Sequence, residues 1–173
     1  GAVTGLLYPG KKLNDDTLIV VTNQKKLHKV QFRSSPLAAL QATAEIPLDS
    51  AVDYGVRVHN GQVLLADAAG HLKALDANRL DLVSAVKLGA AVSNDLWIVG
   101  DQLFVETRDR QVHCFELGQQ LTKKWSAKLS GSGLAGAPLA APDGAIIFAQ
   151  QNGLIWAKNI DGESIGQQFD LQQ

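Results

Sequence analysis

Apolar residues along this chain fall into short alternating runs that recur at a nearly fixed interval. Four segments, 17–30, 62–75, 102–115 and 145–158, align without gaps, their starts 45, 40 and 43 residues apart. Ile19, Leu64, Phe104 and Ile147 share one apolar column, and Leu27, Leu72, Val112 and Ile155 share another. Between these columns lie NQKK, AAGH, RDRQ and QNGL, with Gly70 and Gly153 at the same place. Glycine there supplies the positive φ that a tight hairpin turn requires. Each segment therefore predicts two antiparallel strands joined by a turn.

The alignment continues on both sides. Downstream, Ala44-Ile46-Leu48, Ser84-Val86-Leu88, Trp125-Ala127-Leu129 and Gln167-Phe169-Leu171 alternate at period 2, the pattern of a half-buried strand. Upstream, Val56-Arg57-Val58, Leu96-Trp97-Ile98 and Leu139-Ala140-Ala141 precede each hairpin, and Leu6-Leu7-Tyr8 gives the first unit its copy with a longer loop after it. Four strands per unit at a period of 40–45 residues select a β-propeller, because helical repeats of that length carry a 3.6-residue period. The fold predicted is all-β, with four-stranded blades at approximately 2–48, 52–88, 92–129 and 135–171, forming one domain or domain fragment over 1–173. Only residues 36–45 can be read as helical, which allows one turn near Leu37.

A blade packs both faces of its sheet, so a stack of four leaves two faces to be covered. Ile19 and Val21 are expected on the open face of the first blade, and Ile147, Ile155 or Phe169 on that of the fourth. A small closed ring or an eight-bladed ring made by a homodimer satisfies both. Bulky Leu96 and Trp97 on an inner strand would crowd a four-bladed axis and favour the dimer.

Composition narrows the chemistry. Of 173 residues, 46% are hydrophobic and 19% charged, as in a folded globular chain, and the net charge of −1 offers no general pull toward nucleic acid. Residues 1–33 concentrate Lys11, Lys12, Lys25, Lys26, Lys29 and Arg33 against Asp15 and Asp16. Such a bias guards a strand edge or meets an acidic partner. No apolar run of 18 residues argues for membrane insertion. The lone Cys114 excludes an internal disulfide, and the absence of Met, position 1 included, reads as a piece of a longer protein.

At this point the sequence resembles a known family. Gly136-Ala-Pro138-Leu139, Asp143-Gly144 through Phe148, Gly70-His-Leu-Lys-Ala-Leu-Asp76-Ala77 and Trp125-Ser-Ala-Lys-Leu129 are similar to successive parts of the quinoprotein-type (PQQ-like) propeller repeat. Only the third unit keeps the outer-strand Trp; Ala44, Ser84 and Gln167 stand there in the others, and the Thr-Gly turn before the outer strand is missing throughout. The resemblance implies the propeller fold and two kinds of role. Some members are dehydrogenases holding pyrroloquinoline quinone and calcium. Others, the barrel-assembly lipoprotein of bacterial outer membranes among them, use the propeller as a protein-docking scaffold, which implies an extracytoplasmic bacterial setting. Fold alone does not choose between these.

The residues argue against the cofactor. The quinoprotein enzymes need a vicinal Cys pair, and this chain has one Cys. Cys114 reads as a small core filler, and Trp97, Trp125 and Trp156 occupy different strand columns, which suits packing between blades. His28 and His113 align between units, too far apart for one metal ion, and all four histidines read as surface residues. Gly131-Ser-Gly133 lacks the Lys-Ser/Thr of a phosphate loop and reads as a flexible connection. No catalytic residue, cofactor or metal ligand is assigned. In propellers the blade-to-blade loops and the central hairpin turns share one rim. Here that rim holds Asp53, Tyr54, Asn94 and Asp95 with Lys25, Lys26, Arg108, Asp109 and Arg110. They are either ordinary loop residues or a surface for a protein or peptide. The function expected is a non-catalytic binding scaffold within a larger protein. The alternatives are a fragment of a quinone-dependent dehydrogenase completed by other blades, and a hydrolase or lyase propeller with an axial metal.

Overall fold

The computed structural model describes residues 3–7, 16–34, 36–52 and 54–171. They form sixteen strands in four four-stranded antiparallel sheets, each a simple meander of consecutive strands. Blade 1 is β1 (Val3–Leu7), β2 (Thr17–Thr22), β3 (Lys26–Arg33) and β4 (Ala39–Pro47). Blade 2 is β5 (Tyr54–His59), β6 (Gln62–Ala66), β7 (His71–Asp76) and β8 (Leu82–Lys87). Blade 3 is β9 (Trp97–Val99), β10 (Gln102–Thr107), β11 (Gln111–Leu117) and β12 (Leu121–Lys128). Blade 4 is β13 (Leu139–Ala140), β14 (Ile146–Ala149), β15 (Leu154–Lys158) and β16 (Ser164–Asp170). The chain divides into two compact units, residues 1–95 with blades 1 and 2, and residues 96–173 with blades 3 and 4.

The predicted hairpins pair in the register the columns require. In β2–β3, Ile19 faces Lys29 and Val21 faces Leu27; in β10–β11, Phe104 faces Cys114 and Glu106 faces Val112. A further regularity repeats in every blade. The ladder between the third and fourth strands slips at one place, between Lys29 and Val30, Ala74 and Leu75, Cys114 and Phe115, and Ile155 and Ala157. Thr43, Val83 and Lys124 are the extra residues of the first three bulges. A bulge strengthens local twist, and a repeated one bends each outer strand alike.

Two cores follow from the alternation. In residues 1–95, Ile19, Val21 and Leu27 of blade 1 pack with Val56, Val63, Leu65 and Leu75 of blade 2. In residues 96–173, Phe104, Val112 and Cys114 of blade 3 pack with Ile146, Phe148 and Trp156 of blade 4. Phe148 stacks on Trp156 at 4.2 Å and meets Phe104 edge-on at 5.4 Å. Trp97 and Trp125 belong to the same core, so all three tryptophans serve packing between blades. The bulk of Trp97 goes into this core. Gly162 permits the arrangement, since a Cβ there would stand 2.4 Å from Trp125 Cγ.

Several expectations are corrected. Ile19 and Val21 are not on an open face but in the core, because they point toward blade 2; the opposite face of blade 1 carries the exposed Phe32 and Leu40. No helical turn forms near Leu37: Pro36 and Leu37 bend, and β4 begins at Ala39. The strand carrying Gln167 and Phe169 is exposed along its whole length, where half-burial was expected, because nothing among the described residues covers that face. His113 is not a surface residue; it is buried at 2% exposure. Tyr8, Lys11, Lys12 and Asp15 lie outside the described residues.

Candidate functional site

Each blade's meander sends its second-to-third-strand turn and its exit loop to the same end of the sheet, and this end is the rim. One hydrogen bond recurs in every blade. The residue that leaves the fourth strand donates its N–H to the carbonyl of the turn residue with positive φ. Leu48 donates to Lys25 (2.7 Å), Leu88 to Gly70 (2.8 Å), Leu129 to Arg110 (2.8 Å) and Leu171 to Gly153 (3.1 Å). The turn residues have φ of 57°, 80°, 62° and 83° in that order. Lys25 and Arg110 thus adopt the conformation that glycine provides in the other two turns, at a steric cost of about 1 kcal/mol. At Gly70 the requirement is also spatial, since a Cβ would sit 2.7 Å from the Ala90 carbonyl oxygen.

Polar side chains brace the rim from below. The last position of the aligned second strand is Thr22, Asp67, Thr107 and Gln150, and the latter three are buried. Asp67 accepts the N–H groups of Ala69 (3.0 Å) and His71 (2.9 Å), holding its hairpin turn, and lies 3.8 Å from Lys73 Nζ. Lys73 in turn donates to Asp49 at 2.7 Å, and this bond holds the Asp49 carboxyl below the usual range. The Thr107 hydroxyl donates to Asp109 Oδ1 at 2.6 Å and stands 3.3 Å from His113 Nε2. Gln150, with its amide oxygen turned to Trp156, accepts from the indole N–H at 3.1 Å and donates to the Ser130 and Ser132 carbonyls. A polar residue at one column of an otherwise apolar strand is the sequence signal for this bracing, and the apolar columns do not carry it.

The rim residues singled out from sequence divide between the two units. In residues 1–95, Lys25 is exposed at the tip of its turn, and Lys26 pairs with Glu45, which holds the Glu45 carboxyl below its ordinary range. Tyr54 is exposed at the start of β5. Asp95 forms an ion pair with Arg57 of β5 at 3.2 Å, and its N–H is held by the Asn94 side chain at 3.0 Å. Asp53 lies outside the described residues. In residues 96–173, Arg108, Asp109 and Arg110 are exposed on one turn. Asp109 also accepts from the Gln111 amide at 2.8 Å, and Thr107 foremost holds its carboxyl below the usual range. Arg110 Nη1 donates to the Gly131 carbonyl at 2.9 Å.

The 130–133 connection is laced to blade 4 rather than loose. Asn152 N–H donates to Ser132 Oγ at 3.0 Å, Asn152 Nδ2 to the Ser130 carbonyl at 3.1 Å, and Gln151 N–H to the Gly133 carbonyl at 2.9 Å. At the end of residues 96–173 opposite the rim lies a groove of about 370 Å³. Val99, Ile146 and Ile160 line it together with Asp101, Glu116 and Lys124. Among the described residues no group of three His, Cys, Asp or Glu side chains converges to hold a metal ion.

No family model and no curated protein matches the chain. Among solved structures it is similar to BamB from Moraxella catarrhalis, with a TM-score of 0.68 at 15% identity. The match covers 95% of this chain and 51% of that one, so the chain spans about half the length of its neighbour. At that identity the likeness is one of fold. Together with the four meanders and their repeated register, it makes this chain an all-β protein built as four blades of a β-propeller.

Proposed function

We propose that the chain is a non-catalytic PQQ-like propeller, a single domain in its folded setting, that serves as a protein-binding scaffold within a larger protein. The observation that carries this reading is the latched rim. In each blade the turn between the second and third strands is tied by its backbone to the exit of that blade, and in blades 1 and 3 these turns present Lys25, Arg108, Asp109 and Arg110 to solvent. Tyr54, Asn94 and Asp95 add an exposed aromatic ring and amide and carboxylate groups near the inner strand. Polar side chains on a rigid backbone suit recognition of a protein or peptide, because little ordering entropy opposes binding. The fold shared with BamB supports a scaffold role. The same reading includes a homodimer that completes an eight-bladed ring.

Photo-crosslinking residues placed at Tyr54 and Arg108, with controls at Gln119 on the opposite end, test the rim. Capture of a protein from each rim position, read separately for the two units and lost at Tyr54 on Lys25→Glu and at Arg108 on Arg110→Glu, is the expected result. Equal capture from Gln119 contradicts it. Titration with pyrroloquinoline quinone and calcium separates the enzymatic alternative: micromolar binding of the quinone would overturn the scaffold reading.

A further inference from the structure

Blade packing in this chain obeys one rule. The aligned hairpins place columns three, eleven and thirteen on one sheet face (Ile19, Leu27 and Lys29 in blade 1) and columns two, four and twelve on the other (Leu18, Val20 and His28). In residues 1–95 the first face of blade 1 packs on the second face of blade 2, Ile19 and Leu27 against Val63 and Leu65. In residues 96–173 the first face of blade 3 packs on the second face of blade 4, Phe104 and Val112 against Ile146 and Phe148. The direction is the same in both.

Two faces built to this rule remain open. Ile147 and Ile155 of blade 4 occupy the columns of Ile19, Leu64 and Phe104 and of Leu27, Leu72 and Val112, all buried, yet they are only half-buried themselves. Register places Leu139 beside Ile147, Ile165 beside Ala157 and Phe169 beside Ile155, so this face is apolar across all four strands. Leu139 is 65% exposed and Phe169 62%. Blade 1 leaves the opposite kind of face open. Leu18, Val20 and Val30 are half-buried where their column mates Val63, Leu65 and Leu75 in blade 2 are buried, and Phe32 and Leu40 lie exposed beside them.

We infer that the open face of blade 4 docks the open face of blade 1 from a second copy of this chain, head to tail. The inference rests on the homodimer reading above and assigns its surfaces. The occupant follows from the rule: a first face takes a second face, and the second face left open in this chain is that of blade 1. Contact between two blade-4 faces would set like columns against each other, which occurs in neither core. A heterologous contact of this kind closes when two chains supply both junctions. The apolar area covered is of the sort that otherwise drives nonspecific association.

Light scattering over a concentration series reads the mass of the chain, 18.4 kDa as a monomer. Phe169→Asp and Phe32→Asp alter exposed positions on the two faces, and circular dichroism verifies that each variant keeps its strands. The wild type is expected as a dimer, and each variant alone dissociates at a concentration at least about 100-fold higher. Mixing the two variants restores a dimer, because one junction then unites two unaltered faces. A wild-type dimer that neither variant weakens overturns the face assignment and leaves the homodimer standing. A dimer weakened by Phe169→Asp alone, with no rescue on mixing, replaces the head-to-tail contact with a blade-4 pairing. A wild-type monomer at every concentration overturns the homodimer itself, without touching the rim reading.

Discussion

Leu129 donates its backbone N–H to the carbonyl oxygen of Arg110 at 2.8 Å, across the gap between the end of a blade and its central turn. The bond requires Arg110 to hold a positive φ, and its counterpart in blade 1 requires the same of Lys25. Lys25→Gly removes the steric cost at an exposed position but enlarges the freedom of the unfolded chain. The net expectation is a gain of up to about 1 kcal/mol. Gly70→Ala should act in the opposite sense, losing about 1–3 kcal/mol, since it meets both the φ restriction and the Ala90 carbonyl. Urea midpoints of the two variants check the signs.

Cys114 is buried between blades 3 and 4, and burial pushes its thiol up to about 12. A folded-state value above the unfolded one means the native thiol keeps its proton as pH rises. Stability from this group is therefore lost above roughly pH 8.5, where the unfolded thiol ionises. At pH 8 a disulfide reagent should label Cys114 only as fast as the chain opens, and added urea should accelerate labelling in step with unfolding. Immediate labelling of the native protein would place the thiol at the surface.

His113 carries a pH dependence of the other sense. Burial foremost, and then the charge of Lys123, lower its affinity for a proton, with Asp109 opposing them. Its Nδ1 has no hydrogen-bond partner among the described residues. The unfolded chain binds the proton first on acidification, so stability should fall as pH drops below about 6.5. His113→Gln should flatten the urea midpoint between pH 7 and pH 5. An unchanged slope would assign the acid loss to other groups.

The strand plan was legible because burial in a blade alternates at period 2, and Ile19, Leu64 and Phe104 answer that demand in the same column. The direction of each face was not. Alternation says that Ile19 and Val20 point apart, yet it does not say which of them meets the next blade, and Ile19, expected on the open face, is the one that does. The helical reading near Leu37 failed for a related reason, since β4 is exposed from Ala39 to Thr43 and shows no alternation there. Of the rim, the turns and exit loops were legible from strand order. Arg57 and Lys73 were missed, because their roles arise from partners 38 and 24 residues away in the chain, whereas Asp67 was marked only by its polar column.

Four copies of one unit are latched in the same way, and amide hydrogen exchange measures the latch directly. Leu48, Leu88 and Leu129 lie just outside strands, where free loop amides exchange rapidly, yet each donates to a turn carbonyl. Their amides should exchange at least about 100-fold more slowly than in the unfolded chain, and to a similar degree in all three blades. Exchange of the Leu88 or Leu129 amide at the unfolded-chain rate, while the neighbouring strand amides stay protected, would contradict the repeated latch and the rim built on it.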